Sequence, residues 1–397
     1  MNIDKHEKHI TPAETTVFSI IIAISFGHFL NDIMQSMLPA IYPILRDNYS
    51  LTFLQIGLIT TAYQLTGSVL QPAIGFYTDK KPLPFSLPFA SAFTMGGLLM
   101  LAYAHSYYML ILGAICVGFG SSIFHPEASR VTRLASGGRF GFAQSIFQVG
   151  GNTGAACGPL VAAYFITQQE RIAWLAIFAF IGIFVLSFVS RWYAHNLRQS
   201  AKRKTIHAHH NLTKKQITKT LCLLVGLMLA KYIYMASMQN YYTFYLQEKF
   251  SLTIPDAQKM LFLFLGGIAI GTIFGGRLGD RIGTRKVIWF SILGVLPFTL
   301  LLPHVGLVAT GVLTLIIGMI LASAFPAIIV YAQELMPEKV GTMAGFMFGL
   351  SFGIGALFAT ILGQVGDMIG LYHLFIICSF LPALGIIAFF LPKIDSK

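Results

Sequence analysis

Ionisable side chains stand inside long apolar stretches of this 397-residue sequence, His28 and Asp32 in one and Lys231 in another. Charge in hydrocarbon is costly, so such residues point to function by default. His28, Asn31, Asp32 and Gln35 recur at the spacing of one helix face. At about 1.5 Å per residue, His28 falls near the middle of a hydrocarbon core roughly 30 Å thick. A carboxylate held there can carry a proton, and a lysine there can attract an anion. The spacing therefore predicts Asp32 as the principal proton carrier, tuned by His28, and Lys231 as the receptor of an anionic substrate group. Asn31, Gln35, Gln64, Gln71, Gln148, Asn152, Tyr234 and Tyr241 are expected to supply neutral hydrogen bonds along the same path. The bland alternative is a fixed Asp–Lys or Asp–His pair that only orients helices. His125-Pro126-Glu127 is expected to end its helix, with Glu127 three residues from Arg130. A gate or proton relay at His125 and Glu127 competes there with a helix-end salt bridge.

Elements that could position these residues follow from composition. Apolar residues make up 55% and charged residues 11%, with mean hydropathy +0.71, against about 25% charged in a soluble domain. A soluble enzyme, a nucleic-acid binder and a disordered chain are excluded as readings of the whole. Apolar stretches fall near 17–45, 52–77, 86–104, 107–129, 140–166, 172–193, 220–247, 256–278, 287–303, 306–332, 340–365 and 370–391. The expected fold is an all-α membrane protein of twelve transmembrane helices in two pseudo-symmetric six-helix bundles. The expected organisation is a tail at 1–16, bundles at 17–193 and 220–391, a basic linker at 194–219 and a tail at 392–397. The first stretch is too long for a signal-peptide core and lacks an Ala-x-Ala cleavage site, so it is expected to remain.

The net charge of +12 is a topology signal. With both termini cytoplasmic, 22 of the 27 Lys and Arg residues fall on the inner side, as the positive-inside rule requires. Membrane lipid then explains the basic excess without nucleic acid. The halves repeat: Gly75 and Asp79 match Gly276 and Asp280 at an offset of 201, and Gly118 and Pro126 match Gly318 and Pro326 at an offset of 200. Duplicated bundles place a substrate path between them and work by alternating access. Cys116, Cys157, Cys222 and Cys378 are isolated, and His207, His209 and His210 read as solvated linker. No metal and no cofactor is expected, and the protein is expected to act as a monomer. Ladders at Gly150, Gly154 and Gly158, at Gly267, Gly271 and Gly275, and at Gly345, Gly349 and Gly353 predict close helix approaches.

Gly276-Arg277-Leu278-Gly279-Asp280-Arg281-Ile282-Gly283-Thr284-Arg285-Lys286 resembles the signature loop of the major facilitator superfamily. Gly75-Phe76-Tyr77-Thr78-Asp79-Lys80-Lys81 is a partial copy. That resemblance implies gating by Gly75, Asp79, Gly276, Asp280, Arg281 and Arg285, with Arg130 as a nearby base. Phe124-His125-Pro126-Glu127-Ala128-Ser129-Arg130, Gln144-Ser145-Ile146-Phe147-Gln148-Val149-Gly150-Gly151-Asn152, His28-Phe29-Leu30-Asn31-Asp32 and Lys231-Tyr232-Ile233-Tyr234 closely resemble the fosmidomycin-resistance carriers of that superfamily. The likeness covers nearly the whole chain. It implies a multi-pass transporter of the bacterial inner membrane that expels the phosphonate antibiotic in exchange for protons. One position departs: drug antiporters of the superfamily often carry an arginine four residues before the glycine matching Gly118, and here that residue is Ala114. An importer or exchanger of an endogenous organic anion shares these features. A receptor or membrane enzyme is the alternative of a different class, though no nucleophile–base pair appears in the spans.

Overall fold

The computed structural model describes residues 15–51, 53–166, 168–200 and 213–392. His207, His209, His210 and most of both expected tails lie outside the described residues. Within them every regular element is helical: α1 (Phe18–Ala40), α2 (Tyr42–Tyr49), α3 (Phe53–Lys80), α4 (Ser86–Ala102), α5 (Tyr107–Ala135), α6 (Phe140–Phe165), α7 (Ala176–Ser200), α8 (Lys214–Phe250), α9 (Ile254–Ile282), α10 (Thr284–Leu293), α11 (Leu296–Leu301), α12 (Leu307–Ala322), α13 (Ala324–Leu335), α14 (Val340–Ile369) and α15 (Leu371–Ser379). Short 3-10 segments at Gln169–Leu175, Leu302–His304, Pro337–Lys339 and Leu381–Phe390 join or extend them.

Nine stretches among the described residues are long and apolar enough to cross a membrane. The glutamine-bearing α3 and α6 and the 17-residue α4 complete twelve passes. In that tally α10 with α11, α12 with α13, and α15 with its 3-10 extension each make one pass. Phe184, Phe262, Phe274 and Phe390 are each more than 60% exposed, an outer surface that requires lipid rather than water. Helices overrun the apolar stretches at the centre of the chain. The helix α7 continues to Ser200, and α8 starts at Lys214, where Thr213 and Gln216 form a reciprocal capping box.

Two compact units emerge. One joins the described residues up to position 200 with Met336–Gly349; the other joins those from 213 to Leu335 with those from Leu350 onward. The repeat is visible inside each. In the first, Gly118 lies so close to α3 that an added Cβ would sit 3.1 Å from Thr66 and 3.2 Å from the nitrogen of Gly67. In the second, Gly318 bears the same relation to the nitrogen of Ile268 at 3.2 Å and to the Cα of Gly267 at 3.3 Å. One helix crossing has been built twice.

The glycine ladders serve these crossings. Gly150, Gly154 and Gly158 face α1, while Gly267, Gly271 and Gly275 face Leu315, Met319 and Ser323. Gly345 and Gly349 face Gln71 and Ser68 of α3, but Gly353 meets nothing within 4 Å. A Cβ on Gly154 would fall 3.0 Å from the Ile33 nitrogen and 3.0 Å from the Phe29 carbonyl carbon. Backbone cannot give way as a side-chain tip can. Gly154→Ala is therefore expected to destabilise the protein by about 1–3 kcal/mol, read as a lower thermal-unfolding midpoint in detergent. An unchanged midpoint would contradict this packing.

Candidate functional site

Packing of α1, α5 and α6 gathers the polar centre of the first unit. His28 and Asp32 stand one turn apart on α1, with His28 Nε2 3.3 Å from Asp32 Oδ2. Across from them, α5 brings His125 Nε2 to 3.6 Å from Asp32 Oδ1. His28 Nδ1 donates to the Phe147 carbonyl of α6 at 2.8 Å, and the two rings stack with centroids 4.0 Å apart. His125 Nδ1 lies 3.0 Å from the Ser121 carbonyl oxygen. Asn31 Nδ2 donates to Asp32 Oδ1 at 2.9 Å. Next along the face, Gln35 Oε1 accepts from Tyr63 at 2.7 Å and from Ser121 at 3.0 Å. Both histidines are buried, whereas the Asp32 side chain keeps 18% exposure. An acid clasped by two imidazoles, open on one side, suits the taking up and passing on of a cation.

Further along α5 lies a second cluster. Sequence spacing put the helix end at His125–Glu127, but α5 runs on to Ala135, and every residue from Ser121 to Thr132 is buried. Arg130 sustains the polar part of that segment. Its guanidinium donates to Glu127 Oε1 at 2.5 Å, Asp79 Oδ1 at 2.5 Å, the Thr78 carbonyl at 3.0 Å and the Thr78 hydroxyl at 3.0 Å. Asp79 also accepts from the Gly341 and Thr342 backbone N–H groups, at 2.9 and 2.7 Å, and from the Thr342 hydroxyl at 2.5 Å. The acid thereby caps the N-terminus of α14, where the helix dipole favours negative charge. Gly75 belongs to the same contact, because a side chain there would strike the Gly341 backbone.

The anticipated glycine loops are helical. Gly75 and Asp79 lie in α3, and Gly276, Asp280 and Arg281 lie in the last turns of α9. The chain turns instead at Gly283, whose φ of +93° suits glycine. Gly276 is buried, Asp280 and Arg281 are exposed, and Arg285 donates to the Phe389 carbonyl at 2.7 Å.

In the second unit Lys231 is 2% exposed, with Nζ 5.2 Å from the ring centroids of both Tyr232 and Phe325. Those distances suit cation–π attraction. Among the described residues Lys231 has no acidic partner. Offsets of 200 relate Asn31 to Lys231, Asp32 to Tyr232 and His125 to Phe325. The Tyr232–Phe325 ring contact, 5.7 Å between centroids, therefore stands where the first unit has its Asp32–His125 pair.

Other expected residues scatter. Tyr234 is packed in an apolar core with Tyr242, Leu246 and Phe264, while Tyr241 is half-buried close to Gly363. Gln71 is buried and bonds back to the Gly67 carbonyl at 2.5 Å; Gln64 and Asn152 are half-buried. Gln148 is buried, and Gln144 accepts from Ser129 at 3.1 Å. Thr78, Ser121, Gly151, Gly341 and Thr342 were not anticipated. Thr78 lies within the partial copy of the signature loop and Gly151 within the doubled Gly150-Gly151.

The family model described as Major Facilitator Superfamily matches residues 24–360 and, again, residues 220–397. The chain belongs to the major facilitator superfamily. It is 50% identical over 384 residues to the fosmidomycin resistance protein of Escherichia coli strain K12, covering 96% of this chain and 95% of that one. It is 42% identical over 398 residues to the uncharacterized MFS-type transporter YfnC of Bacillus subtilis strain 168, covering 98% and 97%. Superfamily structures with the same fold include FucP in its outward conformation, at TM-score 0.71 and 16% identity over 96% of this chain and all of that one. The human organic anion transporter MFSD10 matches at TM-score 0.76 and 15% identity, again over 96% of this chain and all of that one. The protein is thus a multi-pass membrane transporter of this superfamily, built of twelve helices in two pseudo-symmetric bundles, and not an enzyme.

Proposed function

We propose that the protein exports small anionic drugs, fosmidomycin among them, across the bacterial inner membrane in exchange for protons, by alternating access. One observation carries the reading: adjacent positions of the repeat hold opposite chemistry, an acid gripped by two imidazoles in one unit and a cation beside two aromatic rings in the other. Asp32, with His28 and His125, takes the proton. A buried ammonium with no carboxylate partner among the described residues is costly, and a phosphonate-like anion supplies the missing charge at Lys231. Asn31, Gln35, Gln148 and Asn152 are the polar groups available to orient that substrate. The knot of Gly75, Asp79, Glu127 and Arg130 latches one conformation, with Gly276, Asp280, Arg281 and Arg285 as its counterpart. Both termini face the cytoplasm, in keeping with the charge distribution, and the carrier works as a monomer among membrane lipids. The 50%-identical Escherichia coli relative, a fosmidomycin resistance protein, supports the choice of substrate.

Fosmidomycin uptake into inverted vesicles tests the proposal. Accumulation is expected when the lumen is acid and not when the gradient is collapsed; gradient-independent uptake would refute proton coupling. Lys231→Ala is expected to cut this uptake at least ~10-fold, the scale of a lost charge-assisted contact of about 1.5–3 kcal/mol. Unchanged kinetics would remove Lys231 from the substrate path.

A further inference from the structure

Three donor atoms converge in the first unit. One ring nitrogen of His28, one carboxylate oxygen of Asp32 and one ring nitrogen of His125 all lie within 4.8 Å of one another. The His28 tautomer follows from its hydrogen bond. The Phe147 oxygen is a backbone carbonyl and can only accept, so Nδ1 of His28 carries its hydrogen, while His125 Nδ1 lies 3.0 Å from the Ser121 carbonyl oxygen and 3.3 Å from its hydroxyl. In the neutral His28 ring Nε2 is then a lone pair that faces the Asp32 carboxylate, an arrangement that suits a cation between them. Imidazoles whose far nitrogen donates to a carbonyl are the usual form of a histidine metal ligand. The Asp32 carboxylate is oriented in the same way by the Asn31 amide, at 2.9 Å.

Spacing supports more than a proton. Nitrogen and oxygen ligands at about 2.0–2.1 Å from a tetrahedral zinc stand about 3.3 Å from each other. His28 Nε2 is 3.3 Å from Asp32 Oδ2, and His125 Nε2 is 3.6 Å from the other carboxylate oxygen, Oδ1, so each imidazole faces its own oxygen of the same acid. Gly151 of α6 packs directly against the donors. A Cβ on that residue would fall 2.8 Å from Asp32 Oδ2 and against the His28 imidazole, so only glycine lets α6 approach the donors this closely. We propose that His28, Asp32 and His125 form a binding site for a first-row divalent transition metal such as zinc, with the partly exposed Asp32 carboxylate as its open side. Two imidazoles and one carboxylate suit zinc and its neighbours rather than magnesium or calcium, which favour all-oxygen sites. A bound ion ties α1 to α5 and takes the lone pairs that a proton would use. Its binding does not depend on what the carrier moves.

Zinc chloride titrated calorimetrically into chelator-stripped, full-length protein in detergent tests the site, beside X-ray absorption at the zinc edge. Expected are about one equivalent bound through mixed imidazole nitrogen and oxygen ligands, and no competition from excess magnesium. His28→Ala and His125→Ala are each expected to weaken binding at least ~10-fold. Gly151→Ala keeps all three ligands but presses a Cβ against His28 and Asp32, and is expected to weaken binding too. Absence of zinc uptake, a spectrum without imidazole, or binding unchanged in the His28→Ala/His125→Ala double variant would overturn the proposal. The last result would place the ion elsewhere, for example on His207, His209 and His210. Absorption on the unaltered protein decides even if a variant fails to fold.

Discussion

Asp32→Asn is expected to lower gradient-driven fosmidomycin uptake at least ~100-fold, the lower end of what a positioned proton-transfer group contributes. Asparagine matches aspartate in size, so it preserves the packing of α1 against α5 and α6. It cannot ionise, and it removes the negative charge that both imidazoles face at 3.3 and 3.6 Å. The thermal midpoint should therefore change little while coupled transport falls to background. Inverted vesicles containing the variant at wild-type abundance provide the measurement. Normal coupled uptake would exclude Asp32 as the proton carrier and shift attention to Glu127.

Arg130→Ala is expected to act on stability rather than coupling. The guanidinium is 3% exposed and serves two carboxylates at once, Glu127 being fully buried and Asp79 nearly so. Its removal leaves Glu127 with an uncompensated charge inside the protein, while Asp79 keeps the α14 N-terminus. Breaking a buried ion pair from one side costs about 3–5 kcal/mol. The expected result is a markedly lower unfolding midpoint and less folded protein in the membrane. Arg130→Lys should recover only part of this, because an ammonium lacks the planar fork that reaches both acids. Full stability of the alanine variant would show that the knot contributes nothing to the fold.

Local periodicity explains what could be read from the chain. The twelve passes, the His28–Asp32 turn and the Glu127–Arg130 pair follow from spacing along one helix, because residues three or four apart must share a face. The glycine ladders announced close approach for the same reason, although not which helix would approach. His125 could be flagged by its place before Pro126 but not paired with Asp32, since that meeting depends on how α5 packs on α1. Asp79 was read as a loop residue. Its helical position and its partners Gly341 and Thr342 come from opposite ends of the sequence and carry no mutual signal. Tyr234 follows Lys231 at helical spacing, yet it turns into the apolar core because the aromatic rings of α8 and α15 stack there. Hydropathy also cut α7 and α8 short: polar residues extend both helices beyond their apolar parts, α8 from the capping box of Thr213 and Gln216.

Opposed, obligatory movement of drug and proton is the centre of this account, and lumenal pH in reconstituted inverted vesicles reports it directly. With the lumen made acid, addition of fosmidomycin should draw protons out and raise lumenal pH as the drug accumulates. Drug entry at the same rate without any change in lumenal pH would contradict it.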